Sequence, residues 1–357
     1  MAHYTKVHLG STALPDRASN RREFLAATAA LLGCGGNREA NDEAPGFLSD
    51  HKTAYRSMPR QACLEWFQKG HAGLSFQYGV YLQLGPDPWV RFRKAISVAA
   101  YDRLKENFTA ESFSAESLVR FAQTAGASYI RFPARLWDGF SLFRTNETSF
   151  TSLSAPAGRD LVGEMTDACR DASMGLILEY AYGLDWRHPY FYSPESVQPD
   201  WPYAAVAHGD ASERRFQKDE DFIEYVKYAH VQLKEILYRY TPLAGIALTP
   251  VMGYFARPQL FPLTTTYEII REAQPQVLLS FEQGANGEED FVSLREYPIP
   301  ERPGGEIAER VRSKNNEKPR EVLASWEKAQ KDEPGPGLNC VREIQLKPNG
   351  ALPELPT

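Results

Sequence analysis

Two glutamates lie in predicted buried strands, near the ends where carboxyl groups can carry acid–base chemistry. Glu282 ends the apolar run QVLLSFE, and Glu179 lies within the apolar run GLILEYAY. A glutamate in a buried strand needs a partner or a raised pKa, because an unpaired buried charge is costly. We therefore treat Glu282 and Glu179 as candidate catalytic residues. A structural role is the alternative for both, and for Glu179 it is an ion pair with Arg131 or Arg135.

Aromatic and polar side chains near predicted strand ends suit a sugar ligand. Aromatic faces can stack on the C–H faces of pyranose rings, while amide and imidazole groups bond hydroxyls. Trp137 is the expected stacking platform, and core packing is the alternative for the aromatic residues. Asp138 precedes Gly139, and such a pair favours a turn that the aspartate fixes by accepting backbone N–H bonds. The candidate substrate-binding residues are Gln77, Tyr78, Trp137, Asp138, Trp186 and His188.

Strands that alternate with helices must position these residues. Apolar runs predict strands at 73–84, 128–132, 175–182, 244–251, 276–282 and near 340–346. Apolar residues at helical spacing predict helices at 114–125, 160–172, 218–240 and 267–273, and a further helix is predicted around 319–331. Alternation implies parallel pairing, and ligands of such folds bind where strands give way to loops. The predicted fold class is α/β, a (β/α)8 TIM-barrel-like fold. It is irregular or incomplete on its C-terminal side, because about six units are visible where a closed barrel needs eight.

Composition excludes several classes of protein. The 357 residues are 43% hydrophobic and 24% charged, which is typical of a soluble globular chain. The net charge is −6 and no basic stripe is visible, so we expect no nucleic-acid partner. The 4 cysteines form no CxxC pair, and glycine-rich nucleotide motifs are absent. We expect neither a metal nor a cofactor. Cys169 falls on a buried helix face and is expected to be a core residue.

The N-terminal residues predict an export signal. Arg21-Arg22 precede a short apolar run, which is typical of a twin-arginine signal over residues 1–34. Residues 31–34 (LLGC) resemble a lipobox, which predicts lipidation of Cys34. Residues 35–62 are predicted to be a linker, and 63–357 a barrel domain. The expected location is periplasmic or at the cell surface of a bacterium, with membrane contact only through the lipid. The alternative is a frayed helix with a chance arginine pair.

Several blocks, in this order along the chain, resemble the catalytic domain of α-L-fucosidases, glycoside hydrolase family 29. GRDLVGEM (158–165) is the most specific, because it nearly repeats that family's Lys-Arg-Asp-Leu-Val-Gly-Glu-Leu. WFQKGHAGLSFQYG (66–79) resembles a block that runs from a Trp-Phe pair to His-Trp-Gly. PARLWDGF (133–140) resembles Thr-Ala-Lys-His-His-Asp-Gly-Phe, and residues 240–249 resemble a strand that ends in Trp-Phe-Asp. The resemblance covers residues 63–297, without the family's C-terminal β-sandwich.

The resemblance implies a (β/α)8-like fold and a retaining hydrolysis of terminal α-L-fucose or a related sugar, without a cofactor. In that chemistry one carboxylate attacks the anomeric carbon and a second carboxyl group protonates the leaving oxygen. The family's nucleophile falls at Thr249, whose hydroxyl cannot replace a carboxylate. Its sugar-binding His and Trp fall at Gln77 and Tyr78, and its His-His pair falls at Leu136 and Trp137.

Three hypotheses follow from these residues. The first is an exported glycoside hydrolase of α-L-fucosidase type that acts on a fucosylated glycan through a rebuilt carboxylate pair. The second is an inactive relative that binds glycans at the same cleft. The third is a structural lipoprotein whose cleft is filled by Trp137 and its aromatic neighbours. Thr249 favours the second hypothesis, and Glu282 at a strand end favours the first.

Overall fold

The described part of the chain is built around a sheet of parallel strands. The computed structural model describes residues 43–94, 96–192, 215–295, 317–326 and 336–354. The strands are β1 (Ala72–Gln77), β2 (Tyr129–Arg135), β3 (Gly175–Ala181), β4 (Gly245–Thr249), β5 (Leu278–Phe281), β6 (Val292–Arg295), β7 (Arg320–Ser325) and β8 (Leu338–Gln345). They form one 8-stranded sheet in the order β5-β4-β3-β2-β1-β8-β7-β6, and all paired neighbours are parallel.

The sheet curls into a nearly closed barrel with one unsealed seam between β5 and β6. The strand order places these two strands at opposite ends of the sheet. Across the seam, the Asp290 N–H donates to the Leu279 carbonyl at 2.7 Å, and the Leu279 N–H donates to the Asp290 carboxylate at 3.0 Å. The hydroxyls of Ser280 and Ser293 lie 3.0 Å apart. The predicted TIM-barrel-like fold with an irregular C-terminal side is confirmed.

Helices precede most of the strands and pack around the barrel. Ser114 and Asp160 cap two of them, accepting N–H bonds from Ser117 at 3.2 Å and Gly163 at 3.0 Å. Within the described ranges, no helix is both long enough and apolar enough to cross a bilayer. The α-helices are α1 (Lys52–Ser57), α2 (Pro59–Gln68), α3 (Val90–Arg93), α4 (Val98–Asp102), α5 (Ala115–Thr124), α6 (Leu161–Asp171), α7 (Phe222–Arg239), α8 (Val251–Ala256) and α9 (Leu263–Ala273). Short 3-10 helices span Gly46–His51, Val80–Gln83, Arg103–Asn107, Asp219–Asp221 and Pro258–Leu260.

The Trp66-Phe67 pair of α2 fills the N-terminal end of the barrel. The Phe67 ring lies 4.7 Å from Phe291, and both rings of the pair lie about 6 Å from Tyr129, at 6.2 and 6.0 Å. A Cβ on Gly175 would come within 2.8 Å of the indole of Trp66, so β3 has to begin with a glycine there. This plug leaves the opposite end, where the strands give way to loops, as the place for a ligand.

The predicted linker at 35–62 is wrong from residue 46 onward. Residues 46–51 form a 3-10 helix, and α1 and α2 follow directly. Leu48 is fully buried, and the ring of Phe47 lies 5.1 Å from Trp66. The sequence pattern did not indicate this contact, because most residues around Phe47 and Leu48 are polar. The two side chains pack the segment against the N-terminal end of the barrel. Residues 1–42, with the predicted signal and Cys34, lie outside the described part.

Candidate active site

The end of β4 carries no carboxylate. Its last residue, Thr249, is fully buried, and its hydroxyl makes no hydrogen bond within the described residues. The Thr249 carbonyl accepts the N–H groups of Tyr182 at 2.7 Å and Gly183 at 3.0 Å. A Cβ on Gly183 would overlap the carbonyl oxygen of Pro250, so the loops after β3 and β4 meet backbone to backbone. The threonine position is therefore a tightly closed part of the barrel mouth.

Glu282 brings a carboxylate to the neighbouring strand end. It follows β5 directly, is partly buried, and has a left-handed backbone with a φ of 45°. Its Oε2 accepts the N–H of Val251 at 2.9 Å, and Val251 is the second residue after Thr249. The Glu282 carboxyl group thus lies beside the end of β4, next to Thr249, where the resemblance implies a nucleophile.

Glu179 lies inside the barrel in a buried ion pair. Its carboxylate accepts the Nε–H of Arg131 at 3.1 Å, and both side chains are almost completely buried. The same guanidinium donates to Glu321 at 2.8 Å, and Glu321 also accepts the hydroxyl of Tyr129 at 2.9 Å. This arrangement matches the structural alternative for Glu179, with Arg131 as the partner.

Asp138 fixes the loop that follows β2. Its two carboxylate oxygens accept the Phe140 N–H at 3.0 Å and the Tyr101 hydroxyl at 2.8 Å. Burial raises the pKa of Asp138 to about 6, against the lowering effect of those two hydrogen bonds. The side chain is 3% exposed. The geometry is that of a turn-forming aspartate covered by α4, as the Asp138-Gly139 pair predicts.

The two tryptophans predicted to bind sugar are packed by other side chains. Trp137 is 6% exposed and stacks on Trp89 with ring centroids 4.8 Å apart. The guanidinium carbon of Arg91 lies 4.1 Å from the centre of the Trp186 ring, and Tyr101 meets the same ring edge-on at 5.0 Å. The segment that carries α3 and α4 therefore covers the loops after β2 and β3. In this conformation neither tryptophan presents an open face.

The remaining predicted contact residues are also engaged. The Gln77 amide donates to the Ser75 hydroxyl at 3.0 Å, and the Tyr78 hydroxyl donates to the Pro348 carbonyl at 3.2 Å. His188 packs against Tyr228 with ring centroids 4.6 Å apart, and burial lowers the pKa of its imidazole to about 4. His188 is partly exposed in the loop after β3.

A shallow crevice at the ends of β1 and β2 leaves no space for the centre of a water molecule. Typical ligand pockets, by contrast, enclose ~300–1,000 Å³. The crevice therefore marks a packing gap beside Asp138. Its lining residues are Tyr78, Gly79, Pro133, Arg135, Leu136, Asp138, Phe140 and Leu142.

The residue patterns missed one charged pair at the mouth. Arg135, at the end of β2, bonds Asp185 in the loop after β3 at 2.5 Å and also donates to the Ala181 carbonyl. Asp185 in turn accepts the backbone N–H groups of Arg187 at 3.0 Å and His188 at 2.9 Å. An aspartate four residues after the end of an apolar strand was the available signal. Among the described residues, no group of His, Cys, Asp and Glu side chains could hold a metal ion.

The family is decided by a sequence match. The model of the family described as Alpha-L-fucosidase matches residues 46–248, more than half of the chain. The chain belongs to the α-L-fucosidase family. The match ends at residue 248, one residue before Thr249.

Known relatives of the fucosidase family match parts of this chain. The tissue α-L-fucosidase of Rattus norvegicus is 27% identical over 170 residues, which cover 43% of this chain and 37% of that protein. The alignment thus spans little more than a third of that curated relative. The α-L-fucosidase isoenzyme 1 of Paenibacillus thiaminolyticus has a TM-score of 0.65 at 22% identity, over 83% of this chain and 73% of that one. The α-L-fucosidase AlfC of Lactobacillus casei, in complex with α-L-fucose, has a TM-score of 0.60 at 22% identity, over 82% and 93% of the two chains. These structures share the fold with this fucosidase-family chain.

Proposed function

We propose that this chain is a glycoside hydrolase of α-L-fucosidase type that removes a terminal α-L-fucose, or a closely related sugar, from a glycan. Family membership supports the class of substrate. The observation that carries the proposal is the Glu282 carboxylate at the barrel mouth, held by the Val251 N–H beside the end of β4. It is the partly exposed member of the predicted carboxyl pair, because Glu179 is buried against Arg131.

Glu282 is the acid–base group in this proposal. Its carboxylic acid protonates the glycosidic oxygen as the bond to the anomeric carbon breaks. The rest of the glycan leaves as an alcohol that carries this proton, and the anomeric carbon becomes oxocarbenium-like. A water molecule then forms a bond to that carbon and gives a proton to the Glu282 carboxylate, which restores the acid and releases the free sugar. The hydrogen bond from the Val251 N–H fixes the orientation of the Glu282 carboxyl group. The carboxyl group is therefore already oriented toward the glycosidic oxygen when the substrate binds.

A second candidate function is glycan binding without hydrolysis. The observation that favours it is Thr249, whose buried hydroxyl has no basic neighbour within hydrogen-bond distance in the described residues. A threonine without a base cannot act as the nucleophile of a retaining glycosidase. A cleft that had lost its nucleophile would still recognise sugar hydroxyls through its remaining polar groups.

The two functions are separated by assaying an aryl α-L-fucoside with the wild type, Glu282→Gln and Glu288→Gln. Glu288 is an exposed neighbour in the same loop, so Glu288→Gln is a charge-matched control. Loss of an acid–base group lowers turnover by about 10²–10⁴-fold, whereas the control is expected to stay within about twofold. Full turnover in Glu282→Gln would remove Glu282 from the mechanism.

Calorimetric titration with L-fucose and other monosaccharides completes the test. Heat exchange without turnover would favour the binding function. If the titration gives no heat and the assay gives no turnover, the result favours the third hypothesis, in which the stacked Trp137 and Trp89 fill the cleft. Thr249→Asp then restores a carboxylate at the end of β4. A rise of about tenfold or more in turnover would mean that the site lacks one group, as a nucleophile is needed for the retaining route.

Export and lipid anchoring belong to the same proposal. The twin arginines at Arg21-Arg22 and the lipobox at 31–34 support secretion of the folded chain and attachment through Cys34. Replacing both arginines by lysine is expected to retain the protein in the cytoplasm of a bacterial host. Cys34→Ala is expected to move the exported protein from the membrane fraction to the soluble fraction. Membrane association that survives Cys34→Ala would refute the lipid anchor.

A further inference from the structure

A buried carboxylate organises the loop that follows Glu282. Glu289 is 2% exposed, and its Oε1 accepts the N–H groups of Ala285 at 2.8 Å and Asn286 at 3.2 Å. Its Oε2 accepts the N–H of Gly287 at 3.0 Å. Three successive backbone donors thus converge on one side chain. Since buried N–H groups need acceptors, this side chain determines the path of the loop.

The same carboxylate ties the loop to α9. The hydroxyl of Tyr267, a fully buried residue of α9, donates to Glu289 Oε1 at 2.7 Å. Burial and the nearby Glu289 carboxylate raise the pKa of Tyr267, so the phenol stays protonated and remains a donor. Lys318 donates to the Gly287 carbonyl at 2.8 Å from outside the loop. The loop is therefore attached to a rigid helix at the point where its own N–H groups meet.

Glu282 begins this loop in a conformation that needs external support. Its φ of 45° lies in the left-handed region, which is sterically unfavourable for a residue with a Cβ atom. Two backbone bonds flank it: the Gly284 N–H donates to the Phe281 carbonyl, and the Ser293 N–H donates to the Glu282 carbonyl, both at 2.8 Å. Strained residues persist where the surroundings hold them, and such strain is concentrated at functional sites.

We propose that Glu289 is a positioning residue that holds Glu282 in its left-handed turn and keeps its carboxylate on the Val251 N–H. This inference rests on the proposed function for its catalytic consequence, but the positioning itself is a property of the loop. Glu289 touches no reacting atom and acts through the backbone between 282 and 289.

An amide cannot replace this carboxylate. Ionised glutamate only accepts hydrogen bonds, and four donors converge here. In Glu289→Gln one end of the side chain becomes a donor that faces either a backbone N–H or the Tyr267 hydroxyl. At least one buried donor then loses its acceptor, and the loop relaxes at its tip. Glu288→Gln changes charge by the same amount on an exposed side chain and serves as the control.

The test combines amide hydrogen exchange with kinetics on the purified full chain. In Glu289→Gln, we expect the amides of Ala285–Gly287 and of Val251 to exchange at least about tenfold faster, with the core strands unchanged. The Val251 amide reports on the carboxylate of Glu282 directly. With an aryl α-L-fucoside, kcat is expected to fall about tenfold or more, with KM within about twofold, because the acid is misplaced while the sugar site is intact. Glu288→Gln is expected to match the wild type in both readouts.

Unchanged exchange at Val251 in a folded Glu289→Gln protein would overturn the proposal, whatever the kinetics. If that variant does not fold, Tyr267→Phe removes one donor and keeps the carboxylate. In Tyr267→Phe we expect the amides at 285–287 to exchange faster than in the wild type and kcat to fall only slightly. Exchange at 285–287 equal to that of the wild type would also overturn the proposal. If the wild type has no turnover, the hydrolase function fails, and the exchange at Val251 still decides the positioning role.

Discussion

Removing the guanidinium of Arg131 should destabilise the barrel more than any exposed charge removal. Arg131 is fully buried and bonds two buried carboxylates, Glu179 at 3.1 Å and Glu321 at 2.8 Å, as well as the Ser293 hydroxyl at 3.1 Å. Arg131→Met preserves most of the side-chain length but leaves both carboxylates without their cation. Breaking a buried ion pair by removing one partner typically costs about 3–5 kcal/mol.

The assay is thermal and urea unfolding of Arg131→Met beside Arg170→Met. Arg170 on α6 also pairs with two carboxylates, Asp167 at 2.7 Å and Asp171 at 3.4 Å, but it is 49% exposed. Exposed pairs contribute about 0–1 kcal/mol because water and side-chain entropy oppose them. We expect a fall in the melting temperature of roughly 6–15 °C for Arg131→Met and of less than about 3 °C for the control.

Equal shifts in the two variants would refute this reasoning. So would an Arg131→Met protein within about 1 kcal/mol of the wild type, since the buried carboxylates would then be stabilised by something other than the guanidinium. The effect should centre on the unsealed seam, because Glu321 also accepts the Ser293 hydroxyl at 2.8 Å and Ser293 meets Ser280 across that seam. Faster amide exchange in β5 and β6 than in β2 and β3 would support that location.

Three further predictions concern individual side chains. The raised pKa of Asp138, about 6 against an ordinary 3.8, means that stability linked to its protonated form is lost as the pH rises from about 4 to above 6. The free energy of unfolding, measured by urea titration at several pH values across that range, should therefore fall by about 3 kcal/mol more in the wild type than in Asp138→Asn, and parallel curves would contradict this. Gly183→Ala should lower the urea midpoint because a Cβ would overlap the Pro250 carbonyl, and an unchanged midpoint would mean that the two loops can separate freely. The buried Cys63 and Cys169, whose thiol pKa values burial raises, should react with a thiol reagent only after unfolding, and rapid labelling of the native protein would contradict their placement.

The regular βαβ units were predictable because their signals are local. The apolar runs and helical spacing around β2, α6 and β3 predicted those elements to within a few residues, and the long amphipathic α7 was equally clear. The predicted helix around 319–331 is wrong where the chain is described, because Arg320–Ser325 forms β7. Glu321 within this strand is buried against Arg131, a partner 190 residues away that no local pattern can reveal.

The site was less predictable, because its outcome depends on contacts between distant loops. Trp137 was expected to be a sugar platform from its place after β2. Trp89 covers it from a segment without any periodic pattern, so its position could not be predicted. Glu282 was predicted at a strand end, but its left-handed turn and its bond to Val251 depend on the loop that Glu289 folds. The residue types could be read from the sequence, whereas their accessibility was decided by tertiary packing.

The most recognisable block of the chain has a structural role, which limits what the family resemblance can say about chemistry. Arg159 donates to the carbonyls of 110 and 113 and bonds Glu164 at 2.9 Å, while Asp160 caps α6 and accepts the Tyr240 hydroxyl at 2.8 Å. These bonds hold backbone segments together. Such a block can persist in a barrel whose mouth has changed, because its role depends only on the frame. The family match therefore specifies the fold, and single strand-end positions decide which chemistry the fold can carry.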